Sequence, residues 1–541
     1  MSNLGNRTHS MSPADFNIYY SDCYNPLVSF AFTMLHLASR KPTAAMSLQD
    51  LPAELVERVV VLLPLSDTCS LRLTNRHLAS NATQKHFKAR FQKKRVQITE
   101  QQLSSFVAVT TSGSLACLLQ DLTLVAPVYN TLEMASRLMK KAVGFVELSD
   151  EGRDVTLCSR DLTEEELRQA EIDLSVLQER LTTQLDMIHR QRDVQLLSQA
   201  LSNLAAHGVS LRTLQIEVEI YKDDTTTPLL PLFGGRWKPI WSSAANASNT
   251  LFNSLAACDL PIHNLDLFNS TRMLRCSISC SELNSIDFAP ARVGRSLGHL
   301  TELSLRVSNH IIDRNSGEEI LRELAPGFDF TGLRSLLRTC PNIEKLDLTH
   351  FRLRYPKDAN ALRPGILRAL AESKFPCLQT LTLQGFRTTG DELLTLLQRF
   401  KTLRSLSLRY IRIIQGSFRP ILDYCTVNAN MEEVNLESLF ETAMIEFEFP
   451  WVIQPIEPTP SGSPPAVLPN SRAAYRRGSD NAASHRIEHR KCNGHTLDAP
   501  YFRAWRQDLR NRFGPLTEKG KSSCLQPYVS PEQTWRHMKR L

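Results

Sequence analysis

The sequence lacks the motifs that identify the commonest enzyme classes. It contains no Walker-A loop, no G-x-G-x-x-G after a strand and no H-E-x-x-H. Each of these motifs places a metal or a phosphate cradle, and none of those arrangements is encoded here. Because the positive signals are all for binding, we expect a protein that is not an enzyme and that holds no cofactor or metal.

Long hydrophobic runs are also absent. The longest one near the N-terminus, Leu27–Ala38, has 12 residues and three of them are polar. A helix needs roughly 20 apolar residues to cross a hydrocarbon core. The preceding segment contains one arginine and two aspartates, so it lacks the net positive charge with which a signal peptide begins. We therefore expect a soluble protein of the cytoplasm or nucleus, without a membrane partner.

Paired cysteines are missing as well. The 12 cysteines are scattered, no C-x-x-C occurs, and the closest pair is Cys276 and Cys280. A chain of this length in a reducing compartment keeps such residues as buried free thiols. The spacing H-x3-H-x2-C-x2-H over 485–495 offers four possible zinc ligands. It lacks a distant second ligand pair, which favours chance clustering over a zinc site.

A net positive charge is absent outside the C-terminal segment. Residues 470–541 contain 15 Lys/Arg and 6 Asp/Glu, a net charge of +9, whereas the whole chain carries +7. Residues 1–469 therefore carry −2, so the basic character belongs to a tail. The charge gives no reason to expect nucleic acid on the main part of the chain.

A helical module begins near Met46, after a polar extension of low periodicity over residues 1–45. Whether Met46 is itself the start stays open. Proline suits a first helical turn, and Leu51-Pro52 precedes a run of apolar residues at helical spacing. On this helix we expect Glu54, Glu57 and Arg58 to face outward. The apolar positions are Leu55, Val56, Val59, Leu62 and Leu63.

Two more helices are predicted before the basic cluster at 93–95. Pro64 ends the first helix, Ser66 or Asp67 caps the second, and a third covers 77–91. A unit of about 45 residues buries little surface by itself. The leucines that it cannot cover are therefore expected to bind a partner.

The segment 51–78 resembles an F-box motif, whose pattern opens with Leu-Pro, a Glu-Leu pair and a spaced aliphatic helix. The resemblance implies an F-box over 46–92 that binds the Skp-family adaptor of a cullin–RING ubiquitin ligase. Thr68 and Cys69 stand where the family usually has leucines, a departure expected to weaken docking without abolishing the fold. The implied adaptor-binding residues are Leu51, Pro52, Leu55, Val59, Leu62, Leu71 and Leu73.

The pattern L-x-x-L-x-L recurs eight times through the middle of the chain. Successive starts lie 92, 51, 38, 43, 35, 25 and 28 residues apart, and the last intervals approach the ~20–29-residue period of leucine-rich repeats. The pattern predicts an α/β repeat, namely an irregular leucine-rich-repeat solenoid over 93–449. The matches begin at Leu119, Leu211, Ile262, Leu300, Ile343, Leu378, Leu403 and Met431.

Helical stretches are predicted before the last four strands, so that strands line a concave face and helices a convex one. The leucines point into the core, and the polar positions between them face outward with mixed charge. We expect the face as a whole to bind a protein ligand, whereas any one position taken alone is better explained as a solvated strand residue. The helices are Leu333–Cys340, Ile366–Phe375, Glu392–Phe400 and Pro420–Val427, and the candidate substrate-binding residues are Arg306, Lys345, Asp347, Gln379, Arg404 and Arg409.

An inserted segment, 162–192, has helical rather than repeat character. Thr163 and Glu166 have the spacing of a capping box, and apolar residues then recur at three and four. We predict one long or hinged amphipathic helix, which either packs on the repeats as a buttress or binds a partner.

A Pro-rich linker and a basic tail are predicted over 450–541, mostly disordered, with one short helix over 502–513. Aromatic residues among the arginines are also compatible with RNA or DNA. We favour a solvated tail over one that binds nucleic acid.

The layout, an F-box followed by degenerate leucine-rich repeats, resembles the F-box proteins of filamentous fungi. Their closing unit often carries a Ser-aromatic-Arg-Pro-Ile run, and 417–421 matches it. The resemblance implies a non-catalytic substrate receptor that holds an adaptor and cullin at one end and a protein substrate on the repeats. A repeat scaffold outside ubiquitination, with a degenerate F-box for dimerisation, is the second hypothesis. A nucleic-acid-associated protein acting through its tail is the third.

Overall fold

The computed structural model describes most of the chain from residue 51 onward, in segments. The described residues are 51–112, 116–148, 155–221, 226–227, 237–270, 276–308, 311–312, 319–320, 330–353, 365–428, 430–441, 443–447, 473–477, 489–496 and 524–525. The chain divides into two compact units, 1–87 and 88–541, and each is described by itself. The predicted extension at 1–45 lies outside the described residues.

In the N-terminal unit, the described residues from 51 onward form short helices. Pro64, rather than Ser66 or Asp67, stands at the cap of the second helix. The third helix was predicted over 77–91 and that prediction is wrong, because the chain turns after Asn81 and starts a new helix at Lys85. The helices are α1 Ala53–Leu62, α2 Leu65–Thr74, α3 Arg76–Asn81 and α4 Lys85–Ala89.

The interior of this unit is small. Val56 and Val60 on α1 are buried together with Leu78 and Phe87. Asn75 caps α3, because its side chain accepts a hydrogen bond from Leu78 N at 2.7 Å. The expectation that Glu57 faces outward is also wrong, since this half-buried carboxylate accepts a hydrogen bond from His86 N.

The larger unit is built on one long, mostly parallel sheet. Nine parallel strands follow one another in chain order, β1-β2-β5-β7-β9-β12-β13-β15-β17, and β19 closes the series. The strands are β1 Lys93–Gln97, β2 Asp121–Tyr129, β3 Ala142–Leu148, β4 Val155–Asp161, β5 Leu211–Tyr221, β6 Thr226–Thr227, β7 Ile262–Leu267, β8 Ile278–Ser279, β9 Glu302–Ser308, β10 Ile311–Ile312, β11 Glu319–Ile320, β12 Lys345–Leu353, β13 Thr380–Gln384, β14 Arg387–Thr389, β15 Ser405–Arg409, β16 Arg412–Gln415, β17 Glu433–Glu437, β18 Ala443–Phe447, β19 Ala473–Arg477, β20 His489–Thr496 and β21 Cys524–Leu525.

The repeated leucines form two buried rows across this sheet. Each row takes one residue from each of eight strands, paired with its neighbours in register, and every member is at most 1% exposed. The eight L-x-x-L-x-L segments are therefore adjacent parallel strands. The rows are Leu122, Leu214, Leu265, Leu303, Leu346, Leu381, Leu406 and Val434, and Leu124, Ile216, Leu267, Leu305, Leu348, Leu383, Leu408 and Leu436.

Helices cover the leucine-bearing side of the sheet and enclose the main core. The last four pack side by side in chain order. They begin and end within a few residues of the predicted positions. The helices of this unit are α5 Glu100–Thr111, α6 Thr131–Lys140, α7 Glu164–His189, α8 Arg192–Ala206, α9 Trp237–Leu255, α10 Cys280–Ser285, α11 Pro290–Leu297, α12 Thr331–Thr339, α13 Gly365–Glu372, α14 Gly390–Arg399 and α15 Arg419–Val427.

The predicted inserted helix corresponds to α7. Thr163 and Glu166 form both hydrogen bonds of the capping box at its start. Gln191 then takes a left-handed backbone conformation with φ 53°, and α8 follows directly. Helix α7 packs against α6, α8 and β2, so it contacts the sheet at one of its longest strands.

Two features of this unit differ from expectation. Residues 93–95 do not end a helix but open strand β1, the first in the sheet. The tail over 450–541 contains three described strands, each antiparallel to an earlier one: β19 on β17, β20 on β18 and β21 on β12. The prediction of a mostly disordered tail is therefore wrong for these segments. The predicted helix at 502–513 lies outside the described residues.

A span across a membrane would need a long apolar helix. In the part of the chain that the structure describes, no helix combines the required length and hydropathy.

Candidate functional site

Helix α1 has apolar residues on two faces, and one of them is open to solvent. Val56 and Val60 point into the small core. Leu55, Val59 and Leu62 stand at i, i+4 and i+7 and so share another face. Leu55 is 42% exposed and Leu62 66% exposed, while Val59 is half-buried. An isolated unit gains nothing from such a face, so this face is suited to a partner.

The other predicted adaptor-binding residues are spread over the start of α1 and the second helix. Leu51 is half-buried and Pro52 is exposed. On α2, Leu71 is half-buried, whereas Leu73 is 87% exposed. We call the face formed by Leu55, Val59 and Leu62 the apolar ridge. The other predicted adaptor-binding residues, Leu51, Pro52, Leu71 and Leu73, lie outside it.

The two residues that depart from the F-box pattern do not extend this ridge. Thr68 is wholly buried, and its hydroxyl donates a hydrogen bond to Pro64 O at 3.0 Å. Cys69 is half-buried. Thr68 is therefore a core residue of α2, which ties the start of that helix together. The expectation that Thr68 and Cys69 weaken docking stays a prediction.

Polar contacts hold α2 against α3 and α4. The guanidinium of Arg72 lies 4.1 Å from the centre of the Phe87 ring. Its Nε also donates to Thr83 Oγ1 at 2.9 Å. Leu71 and Leu73 flank this anchored arginine in sequence, so α2 presents them from a fixed position.

The second candidate site is the sheet face that points away from the leucines. Two rows of polar residues cross it in register. The first polar row is Asn264, Glu302, Lys345, Thr380, Ser405 and Glu433, and the second polar row is Asp266, Ser304, Asp347, Thr382, Ser407 and Asn435.

Exposed ion pairs lie in the first polar row and one residue before it. Lys345 Nζ lies 3.4 Å from Glu302 Oε2, and Arg404 NH1 lies 3.3 Å from Glu432 Oε1. Each of these side chains is more than 40% exposed. Exposed ion pairs contribute at most about 1 kcal/mol to stability. A ligand can therefore replace them with its own contacts at a small cost in free energy.

One backbone arrangement recurs just before the strands of this face. The carbonyl of Gln379 accepts hydrogen bonds from both Arg404 N and Ser405 N, at 2.8 and 2.9 Å. The carbonyls of Thr301, Glu344 and Arg404 accept two consecutive N–H groups in the same way. Two predicted substrate-binding residues, Gln379 and Arg404, occupy this position. Their exposed side chains therefore project from a backbone that is fixed on both sides.

Arg306 and Asp347 belong to a different environment. Asn269 Nδ2 donates to Asp347 Oδ2 at 2.9 Å, and Arg306 donates to Asn269 Oδ1 at 3.2 Å and to Asn269 O at 2.8 Å. Asp266 accepts hydrogen bonds from Asn269 N and from Ser270. We call Asp266, Asn269, Arg306 and Asp347 the buried polar cluster.

Desolvation dominates the electrostatics of the buried polar cluster. Burial raises the pKa of Asp266 and of Asp347, against the nearby Arg306 charge that would lower both. Burial likewise lowers the pKa of the Arg306 guanidinium. Oδ1 of Asp347 is buried and has no hydrogen-bond donor among the described residues. These groups are occupied with one another, so their role is to shape the face.

The last predicted residue, Arg409, is half-buried beside Glu437 with 3.7 Å between Nε and Oε2. The other carboxylate oxygen of Glu437 accepts from Tyr410 OH at 2.8 Å. The six candidates thus do not form one cluster. Lys345, Gln379 and Arg404 are exposed along one side of the face, whereas Arg306, Asp347 and Arg409 lie deeper.

Several residues that matter here were missed from the sequence. Asn269 follows a leucine strand outside the repeat pattern, and no spacing marked it. Glu302 and Glu432 were detectable, because each faces a candidate cation at the equivalent position of the neighbouring repeat. Among the described residues, no group of three or more His, Cys, Asp or Glu side chains is placed to hold a metal ion.

No protein-family model matches the chain. No curated protein matches its sequence significantly.

Proposed function

We propose that this chain is the substrate-recognition adaptor of a Skp–cullin–F-box ubiquitin ligase. The N-terminal helices would be an F-box that docks the Skp-family adaptor, and the larger unit would hold a protein substrate. The observation that carries the proposal is the apolar ridge: Leu55, Val59 and Leu62 line an open face of α1 within a segment that resembles an F-box.

The physical argument rests on the two faces of α1. Fully covering a leucine contributes about 1.5–3 kcal/mol, and Leu55, Leu62 and Leu73 are all more than 40% exposed. An adaptor that covers these side chains gains that contribution. Val56 and Val60 supply the internal packing instead, so the ridge residues are available for binding without loss of the fold.

We further propose that residues 93–449 form an irregular leucine-rich-repeat solenoid, with its polar strand positions on the concave face. Two in-register rows of aliphatic side chains and helices that pack in chain order support this proposal. The substrate would contact the exposed residues of the polar face, Lys345, Gln379 and Arg404. Function would follow from proximity, since one chain holds both ligase and target.

The test is capture of purified Skp adaptor and cullin by the full-length protein. Leu55→Ala/Leu62→Ala removes exposed apolar surface from the ridge. Leu132→Ala/Met139→Ala removes exposed apolar surface from α6, where the side chains are 55% and 84% exposed, and is the matched control.

We expect the ridge variant to lose at least ten-fold in adaptor affinity and the α6 variant to bind like wild type. Failure of the folded wild-type protein to capture the adaptor contradicts the proposal. Equal loss in both variants would show that binding is not specific to the ridge. A negative outcome leaves the alternative, a repeat scaffold outside ubiquitination.

A further inference from the structure

The last parallel strand of the long sheet has an unusual neighbour. Strand β17 pairs with β15 on one side in the parallel sense, as do the strands before it. On the other side it pairs with β19, which is antiparallel. Strand β19 comes from the basic C-terminal segment, 36 positions after the end of β17. The edge of the sheet is thus covered by a strand from outside the repeat series.

The pairing extends over the whole of β17. All five residues of Glu433–Glu437 have a partner in Ala473–Arg477, from Glu433 opposite Arg477 to Glu437 opposite Ala473. A parallel sheet that ends in an uncovered strand presents unpaired N–H and C=O groups to any extended chain. A strand that pairs along its full length satisfies those groups.

Charge in the two strands is complementary. The segment 432–437 contains three glutamates and no cation, whereas 472–477 contains three arginines and no acidic residue. The register sets Glu433 directly opposite Arg477, whereas Glu437 stands opposite Ala473 and Arg476 opposite Val434. Opposite charges in direct cross-strand pairs are favourable. At the other edge, β1 has the sequence KKRVQ, and strands rich in lysine discourage pairing by charge alone.

We propose that the outer edge of β17 is a binding site for an extended basic peptide segment, and that Ala473–Arg477 occupies this site intramolecularly. The main chain of the ligand would supply hydrogen bonds, and Glu433 would select for a basic residue at the position opposite it. A tethered segment competes at an effective concentration on the order of mM. A basic segment of another protein therefore binds only when the tail segment is displaced. The inference does not depend on the assignment of the N-terminal helices.

The test uses the full-length chain and a fluorescein-labelled peptide with the sequence of residues 470–480. Ala474→Pro/Tyr475→Pro removes two adjacent N–H groups of β19, one of which must face β17. Ala482→Pro/Ala483→Pro places the same change in the tail outside the paired segment. Fluorescence anisotropy measures peptide binding to each protein at low salt.

We expect the 474/475 variant to bind the peptide at least ten-fold more tightly than wild type, and the 482/483 control to bind like wild type. Introducing Glu433→Arg into the 474/475 variant weakens binding, and a peptide carrying Arg477→Glu restores it. Equal binding by wild type and the 474/475 variant overturns the proposal, as does a charge exchange without rescue.

A measurement on the unaltered protein covers the case in which the 474/475 variant does not fold. Hydrogen exchange followed by mass spectrometry reports the protection of backbone amides in residues 473–477. We expect them to exchange at least ten-fold more slowly than the same amides in the free peptide. Exchange at the free-peptide rate would show that the edge is not occupied and would overturn the proposal.

Discussion

Asn269 and Asp347 are joined by a hydrogen bond of 2.9 Å that passes over strand β9. Asn269 follows β7 and Asp347 lies on β12, so one amide connects the two strands that flank β9. The same amide accepts a hydrogen bond from Arg306, which lies on β9 itself. Three neighbouring strands are therefore linked on the polar face by one side chain.

Asn269→Leu should destabilise the larger unit. The substitution keeps the size of the side chain but leaves Asp347 Oδ2 and Arg306 Nε without this partner. Loss of a hydrogen bond to a buried charged group costs about 2 kcal/mol or more. Urea denaturation measures the free energy of unfolding. Asn430→Leu, at an exposed asparagine, is the control, and an equal effect of both substitutions would contradict the role of Asn269.

Leu381→Ala should have a larger effect than the same change on the surface. Leu381 is wholly buried in the leucine row, and truncation of a buried leucine costs about 2–5 kcal/mol. Leu73→Ala, at a side chain 87% exposed, should change the free energy of unfolding by less than about 0.5 kcal/mol. Urea denaturation of the two variants measures the difference. Similar values would mean that the row is not the core.

Glu166 should stay ionised at acidic pH. Its pKa is lowered from 4.5 to about 2, chiefly by the hydrogen bonds from the Arg160 guanidinium and then by that from Thr163 N. A lowered pKa in the folded state contributes stability above pH 4.5, and the contribution is lost as the pH falls towards 2. At pH 3.5 the carboxyl carbon shift in NMR spectra should therefore report a carboxylate.

Arg160→Met is the matched test of that cause. It removes the guanidinium and leaves the Thr163 hydrogen bond, so the Glu166 pKa should rise towards its ordinary value. At pH 3.5 the same carbon should then report a more protonated carboxyl group. An unchanged shift would mean that Arg160 is not the main cause.

Exposed cysteines should react with an alkylating agent faster than buried ones. Cys276, Cys280 and Cys340 are buried, and burial raises the pKa of each thiol to about 12. Cys117 and Cys377 are exposed. Brief alkylation of the folded protein should therefore modify Cys117 and Cys377 and spare the other three until urea is added. Peptide mass spectrometry assigns each site, and early modification of Cys340 would contradict the placement of α12.

The part of the fold that the sequence predicts is the part that repeats. Leucine at fixed spacing determines which strands are neighbours and which side chains are buried, and the two leucine rows follow that pattern. Strand β1 escaped prediction because KKRVQ has a single apolar residue, Val96, and its pairing with β2 is set by the sheet. The three tail strands escaped because their sequences carry no strand pattern of their own, and such a short strand forms only where a partner edge exists.

The candidate sites were predicted unequally. Spacing alone places Leu55 and Leu62 on one face of a helix, but it does not say which face the core takes. Thr68 shows the limit, because a polar residue at a core position is recognised only when its hydroxyl is seen bonded to Pro64 O. On the sheet face, pattern predicts that Arg306 and Asp347 point outward. Their burial depends on Asn269, which lies in a loop with no repeat of its own.

Because the strands are paired in register, the residues of the polar face lie at fixed distances from one another. Neighbouring strands lie about 4.8 Å apart whatever the length of chain between them. Lys345 and Ser405 are 60 positions apart in sequence, yet they are two strands apart in the first polar row and so about 10 Å from each other. An insertion in a connecting segment leaves these intervals unchanged. A mutation that shifts one strand by a single residue would move the polar side chains of that strand to the core side of the sheet and its leucines to the polar face.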